Sequence, residues 1–208
     1  IFAAMEEIYS YYKENIDAYT RRLGNLKKKI HLMGSIRLAL VAGAILSLWI
    51  FRDESWQCLT RITFAYIIPF ALLMRNHNKK YARKVNAETL IKLNEDELKG
   101  LDYDFSAFDG AADKISGEHS FCLDLDVFGD RSLFHSLNRT VPGFGRERLA
   151  GWLSNPLTDK KEIVKRQEAV KELAALSALR QHFYVTGIIR QDTQDTRDND
   201  INFMDRLT

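Results

Sequence analysis

The sequence predicts a mainly α protein: long antiparallel helical arms, an apolar helical hairpin between them, and a helical globular segment behind them. Three observations carry this. Apolar residues recur at alternating steps of three and four along residues 5–33. Two apolar stretches follow, separated by a short polar connector. Prolines, glycines and capping residues then punctuate residues 132–179 as helix ends and starts. The expected divisions are a coiled-coil arm at 1–34, an apolar hairpin read as transmembrane at 35–75, a return arm at 76–100, a linker at 101–120, and a helical core segment at 121–208. A length of 208 residues allows one large domain or two small ones. The chain opens at Ile1 and closes at Thr208 inside a pattern set to continue, so it reads as a slice of a longer protein.

The first arm carries Met5, Ile8, Tyr12, Ile16, Tyr19, Leu23, Leu26, Ile30 and Met33 on one stripe, a heptad seam with one irregularity. So narrow a stripe needs a partner helix. Residues 38–51 carry no charge, and residues 56–74 carry only Arg61. A helix needs about 20 residues to cross a hydrocarbon core of about 30 Å, fewer where basic flanks snorkel. Arg37, Arg52 and Arg61 sit where snorkelling serves, and Trp49, Trp56 and Tyr66 suit an interface. Lys27, Lys28, Lys29 and His31 precede the pair. Arg75, Lys79, Lys80, Arg83 and Lys84 follow it. The connector Arg52-Asp53-Glu54-Ser55 is not basic, so both ends face the cytoplasm under the positive-inside rule. That places the chain in an inner or cytoplasmic membrane with its bulk cytoplasmic. A buried hairpin in a cytoplasmic protein is the alternative; the agreement of charge asymmetry with the apolar runs favours the membrane. Pro69 is placed to kink the second helix.

The return arm carries Tyr81, Val85, Leu90, Ile91, Leu93 and Leu98 and should pack antiparallel on the first. Its cations Lys79, Lys80, Arg83 and Lys84 suit phosphate, of nucleic acid or of lipid. Beside a membrane span, lipid is the simpler partner. Residues 100–119 are rich in Asp and Gly. They fail the calcium-loop pattern, because Ala107 and Asp113 stand where Gly and Glu are needed, and read as a solvated linker. Residues 121–128 alternate Phe121, Leu123, Leu125 and Val127 against Cys122, Asp124 and Asp126, which predicts a half-buried strand or extended segment. Asp124 and Asp126 read as solvent-facing or capping, and His135 as a surface or packing residue rather than a base. Cys58 and Cys122 suit a reducing compartment and have no metal-ligand neighbours; nothing favours a disulfide. The net charge of +2 argues for neither nucleic acid nor an acidic substrate.

In the core segment, residues 132–139 predict a short helix and Val141-Pro142-Gly143 a turn. Gly145 either opens the next helix or allows close backbone approach; that helix has Leu149, Trp152 and Leu153 as its apolar edge. Asn155-Pro156 stops it. Thr158 or Asp159 caps the following helix, with Glu162 completing a capping box. That helix runs through Ile163, Val164, Val170, Leu173, Leu176 and Leu179. Residues 191–200 predict a loop, and 201–207 another helix.

Arg139-Thr140, Gly145, Leu149, Trp152-Leu153, Pro156-Leu157, Ile163, Arg166-Gln167, Val170 and Leu173 follow one another without a gap. In that order they resemble the start of the core, or lever, domain of the MutS family of DNA mismatch repair ATPases. Asn138 replaces the family's usual Asp. Residues 124–140 further resemble a MutS-related branch with membrane-spanning N-termini. The resemblance makes Arg139, Thr140, Gly145, Leu149, Trp152, Leu153, Pro156, Arg166 and Gln167 structural. It implies a lever that couples ATP binding in a C-terminal ATPase domain to DNA binding. For the full-length protein it implies ATP and magnesium, DNA as partner, a homodimer, and ATPase activity. These residues show no phosphate loop, so no catalytic, cofactor or metal residue is assigned among them. Lys160, Lys161 and Lys165 are candidate phosphate contacts, against the plainer reading of a solvated helix face. The alternative function is a membrane-anchored coiled-coil scaffold without repair activity.

Overall fold

The computed structural model describes residues 2–52, 56–115, 120–141 and 143–205. Connector residues 53–55, the turn residue Pro142 and linker residues 116–119 lie outside them, as does the Cys58 side chain. Among the described residues there are seven α helices and no strand, so the protein is mainly α. The two longest are α1 (Phe2–Ile50) and α2 (Trp56–Leu101). Arm and apolar stretch are thus one continuous helix on each side, and Pro69 sits inside α2. The chain divides into two compact units, Lys13–Ile91 and Ile1–Tyr12 with Lys92–Thr208.

The Lys13–Ile91 unit is an antiparallel helix pair. Lys27 lies 3.7 Å from Glu88, Lys80 Nζ donates to Met33 Sδ at 3.1 Å, and the Ser47 and Tyr66 hydroxyls share a hydrogen bond of 3.0 Å. Partner numbers fall along α2 as they rise along α1, as antiparallel packing requires. On α1 the shielded positions include Ile16, Tyr19, Leu23, Leu26, Ile30 and Met33, followed by Arg37, Leu40, Ala44 and Ser47. The heptad seam therefore continues past Met33 into the apolar stretch. On α2 the facing row includes Ile62, Tyr66, Pro69, Leu73, His77, Lys80, Lys84, Ala87 and Ile91. Met5 and Ile8, the first two positions assigned to the seam, lie in the other unit and are exposed. α1 contains a segment long and apolar enough to cross a bilayer, and only 6% of it is buried, unlike the core helix of a globular unit.

In the other unit α2 ends at Leu101 because Tyr103 takes a left-handed φ of 63°. Tyr103 N–H then donates to Gly100 O, and Asp104 N–H to Lys99 O, closing the helix with two return bonds. A 3-10 turn follows at Ala112–Lys114. Next come α3 (Ser120–Asp124), α4 (Leu133–Leu137), α5 (Gly143–Ser154), α6 (Lys160–Ala175) and α7 (Ser177–Asp205). Ser132 caps α4 and Asp159 caps α6 through their side-chain oxygens. Phe134 is fully buried with Ala111 and Ala150, and Phe128, Leu149 and Leu153 pack around them. Gly110 and Gly129 form the tightest approach: Gly129 N–H donates to Gly110 O at 2.8 Å, and a Cβ on Gly110 would lie 2.4 Å from Gly129 O.

Three expectations are corrected. Residues 121–128 are not a strand. Residues 120–124 form the short α3, and Asp126, at φ 47°, closes it as Tyr103 closes α2, with Val127 N–H bonded to Cys122 O and Asp126 N–H to Leu123 O. With no neighbouring strand for a ladder, these amides bond locally. The alternating Phe121, Leu123 and Leu125 are exposed, while Cys122 is a buried free thiol. The helix expected through Leu179 breaks at Leu176. There Leu176 N–H reaches back to Leu173 O, and Arg180 Nη2 donates to Ala174 O, a carbonyl the break leaves open. Residues 191–205 continue α7 rather than forming a loop. The segment is polar but contains neither Gly nor Pro, so nothing in it interrupts the helix.

Gly110→Ala should lower unfolding stability by roughly 1–3 kcal/mol, the usual cost of overpacking. Asp126→Gly should raise it by about 1 kcal/mol by removing the left-handed penalty. Thermal and denaturant unfolding of the chain would register both signs.

Candidate functional site

The family-like tripeptide Asn138-Arg139-Thr140 is extended backbone between α4 and α5, and its three side chains do separate jobs. Arg139 Nε and Nη2 donate to the two carboxylate oxygens of Glu97 at 2.7 and 3.2 Å, a forked pair across 42 positions of sequence. Its Nη1 donates to the carbonyls of Ser136 and Asn138 at 3.2 and 3.0 Å. Its guanidinium carbon lies 3.5 Å from the centroid of the Phe108 ring. Asn138 Nδ2 donates to Asp109 O at 2.9 Å, while its Oδ1 accepts from Thr140 N and Oγ1 at 3.0 and 2.7 Å. His135 completes the joint. Its Nδ1 accepts from Arg131 N–H at 3.1 Å, so Nε2 carries the proton and donates to Phe108 O at 2.9 Å. Of the surface and packing roles expected of His135, it has the buried one.

Beside Arg139 a cleft of about 490 Å³ opens among Tyr11, Tyr12, Leu93, Glu97, Leu173, Ser177, Leu179, Arg180, Gln181, Phe183 and Tyr184. Tyr11 donates to Ser177 Oγ at 3.0 Å, and Gln181 Nε2 donates to Asn94 Oδ1 at 2.9 Å. Burial, with Glu97 next, raises the Tyr12 hydroxyl pKa, and burial, with Asp96 and Glu97 next, raises that of Tyr184. Both phenols therefore stay protonated in a mostly apolar cleft. Among the described residues no three His, Cys, Asp or Glu side chains could hold a metal ion.

A second cluster ties the linker to α5. Arg146 bonds Asp109 and Asp113, with Glu147 at 3.4 Å, and Lys114 reaches Glu147 at 2.7 Å. The Arg146 hydrogen bonds hold both aspartates below the usual carboxylate pKa, and the same bonds raise that of Arg146. The acidic linker is thus pinned at these two positions.

Of the remaining family positions, three have packing contacts. Leu149 and Leu153 face the Phe134 core, and Trp152 lies under Arg166, whose guanidinium is 4.1 Å from the ring centroid. Gly145 lies in the first turn of α5, and Pro156 follows its end. Gln167 is exposed. Lys160, Lys161 and Lys165 are exposed on α6, where Lys165 pairs with Glu162 at 3.3 Å. In the helix pair the other cation group divides. Lys79 and Arg83 are exposed, while Lys80 and Lys84 are half-buried on the seam row, Lys84 lying 3.6 Å from Glu88. Sequence reasoning missed Glu97 and Phe108, the partners that fix Arg139. Their separation from it in sequence leaves no local signal.

A family model, MutS domain III, matches residues 118–199. The DNA mismatch repair protein MutS of Persephonella marina is 43% identical over 53 residues, 26% of this chain and 6% of that protein. The MutS of Thermosynechococcus vestitus matches with the same identity and coverage. The DNA mismatch repair protein MSH3 of Yarrowia lipolytica is 34% identical over 83 residues, 38% of this chain and 8% of that protein. The chain thus spans less than a tenth of the length of these curated relatives. No solved structure matches it.

Arg139→Lys keeps the charge but loses the fork and the flat stack, and should cost roughly 1–3 kcal/mol in denaturant unfolding. Glu97→Gln combined with Arg139→Lys should cost less than the sum of the single changes. The Arg146 pairs carry a pH signature. Because both aspartates titrate lower when folded, their contribution is full above the unfolded carboxyl value and is lost as pH falls through the folded one. The stability gap between the wild type and Arg146→Gln should therefore be open at pH 6 and narrow as pH falls below the ordinary carboxyl value of about 3.9, read by denaturant titration at each pH.

Proposed function

We propose, from the MutS-family relationship of residues 118–199, that this chain is the anchor and lever start of a membrane-tethered MutS-like DNA mismatch repair protein. Residues 121–208 would be the beginning of the lever. ATP and magnesium would bind in an ATPase domain that these residues do not include. The lever would pass that event to DNA-gripping parts as a change of conformation. DNA and a second copy of the protein are the expected partners of the whole protein. Arg139, Asn138 and Trp152 would contribute stiffness rather than chemistry. Lys160, Lys161 and Lys165 remain phosphate contacts of second rank.

One observation carries the anchor: the helix pair exposes large apolar side chains along its uncharged part. Leu38, Ile45, Leu46, Trp49, Phe64, Ile68 and Leu72 are all at least 59% exposed. The shielded side includes Gly43, Ala44 and Ser47 beside Leu40, Ile62 and Leu73, with Ser47 bonded to Tyr66 and a Cβ on Gly43 meeting the Tyr66 side chain at 3.5–3.9 Å. Water favours the opposite arrangement. Hydrocarbon favours this one, because small residues let helices approach and an internal hydroxyl pair satisfies itself.

The test is fractionation of membranes containing the full-length protein. The expected result is retention through high-salt and alkaline washes and release by detergent. Release by the alkaline wash would overturn the anchor. Firm retention with no DNA binding by the full-length protein would overturn the repair reading in favour of a membrane scaffold.

A further inference from the structure

Resting on the membrane reading above, we propose that the helix pair selects anionic phospholipid through a collar made of Lys28, Lys29, Arg75, Lys79 and Arg83. In the sequence Lys79-Lys80-Tyr81-Ala82-Arg83-Lys84 is one basic cluster. The structure divides it. Lys80 Nζ donates to Met33 Sδ, and Lys84 lies against Glu88, both on the row facing α1. Lys79 and Arg83 are exposed, as are Lys28, Lys29 and Arg75. Among the described residues no ion pair engages any of these five.

The antiparallel register sets their heights. Met33 lies beside Lys80, and Lys27 beside Glu88, so Lys28 and Lys29 stand within about a turn or two of Arg83 along the axis. Arg75 and Lys79 lie one turn apart where the apolar stretch ends. The collar therefore lies just outside the apolar region, at headgroup depth and slightly beyond, within a Debye length of the surface. Glu88, at the height of Lys28, lies against Lys27 and Lys84 and leaves the five collar cations unpaired. Between Asp17 and Glu88 the sequence has acidic residues only at Asp53 and Glu54. Unpaired outward cations gathered beside the apolar stretch match a negatively charged leaflet.

The experiment is flotation of the chain with vesicles of phosphatidylcholine alone and of phosphatidylcholine mixed with phosphatidylglycerol, at low and high salt. Two double variants remove the same charge from neighbouring positions: Lys79→Gln with Arg83→Gln, and Lys80→Gln with Lys84→Gln. Circular dichroism checks that both stay helical. The wild type should favour the anionic vesicles, less so at high salt. The outward pair of substitutions should cut that preference roughly 25-fold, at about fivefold per cation. The seam pair should leave it within about threefold of wild type, since those charges lie turned toward α1. Equal losses from the two pairs would overturn the collar. So would equal binding of the wild type to both vesicles, although detergent-only extraction would leave the anchor standing. Binding to neither vesicle would overturn collar and anchor together.

Discussion

The unit that contains the residues similar to MutS domain III depends on one guanidinium. Arg139 is held by both oxygens of Glu97, by two backbone carbonyls and by the face of Phe108. Those contacts bring the end of α2, the α4–α5 junction and the linker to one point. With Phe108 fixed, Asp109 and Gly110 fall into place: His135 and Asn138 bond the carbonyls of Phe108 and Asp109, and Gly110 meets Gly129 backbone to backbone. Ala111 then enters the core beside Phe134. A planar, forked donor suits this position, because one ammonium could not serve four oxygens and a ring at once.

The helix pair is built differently. The unit around Phe134 buries its large apolar side chains at the core. The pair turns many of its large apolar side chains outward along its uncharged part, while Gly43, Ala44 and Ser47 lie among the shielded positions with Leu40, Ile62 and Leu73. Beyond Arg37 and Arg75, Met33, Lys80, Lys84 and Glu88 join the shielded apolar positions Leu23, Leu26 and Ile30. One heptad seam thus runs through both parts without a break in α1, while the outward surface changes from charged to apolar.

Much of this was legible in the sequence because it rests on periodicity and punctuation. The α1 seam, the antiparallel arms, the Asp159 cap and the stop at Pro156 each need only neighbours within a few turns. The strand expected at residues 121–128 failed because alternation says nothing about whether a partner strand exists. Asp126 closes a helix instead, a role that composition assigns to glycine before aspartate. The break at Leu176 was invisible because Leu173, Leu176 and Leu179 keep helical spacing across it. At the site, the motif residues could be read but their partners could not. Glu97 sits in a charged run that looks solvated until the fold brings Arg139 to it.

The departure at Asn138 has a physical reading of its own. In the pattern this segment resembles, the position is usually Asp, which can only accept. Here the side-chain oxygen keeps that accepting role toward both the backbone and the hydroxyl of Thr140. The amide nitrogen adds a donor and spends it on the carbonyl of Asp109. A carboxylate would face that carbonyl with no proton to offer, oxygen against oxygen, in a buried position. Asparagine is therefore the residue this linker requires. The substitution leaves the tripeptide's accepting role intact while adding a hold on the segment that precedes it. It ties the MutS-like turn to a linker whose Asp109 carboxylate is in turn bound by Arg146 on α5.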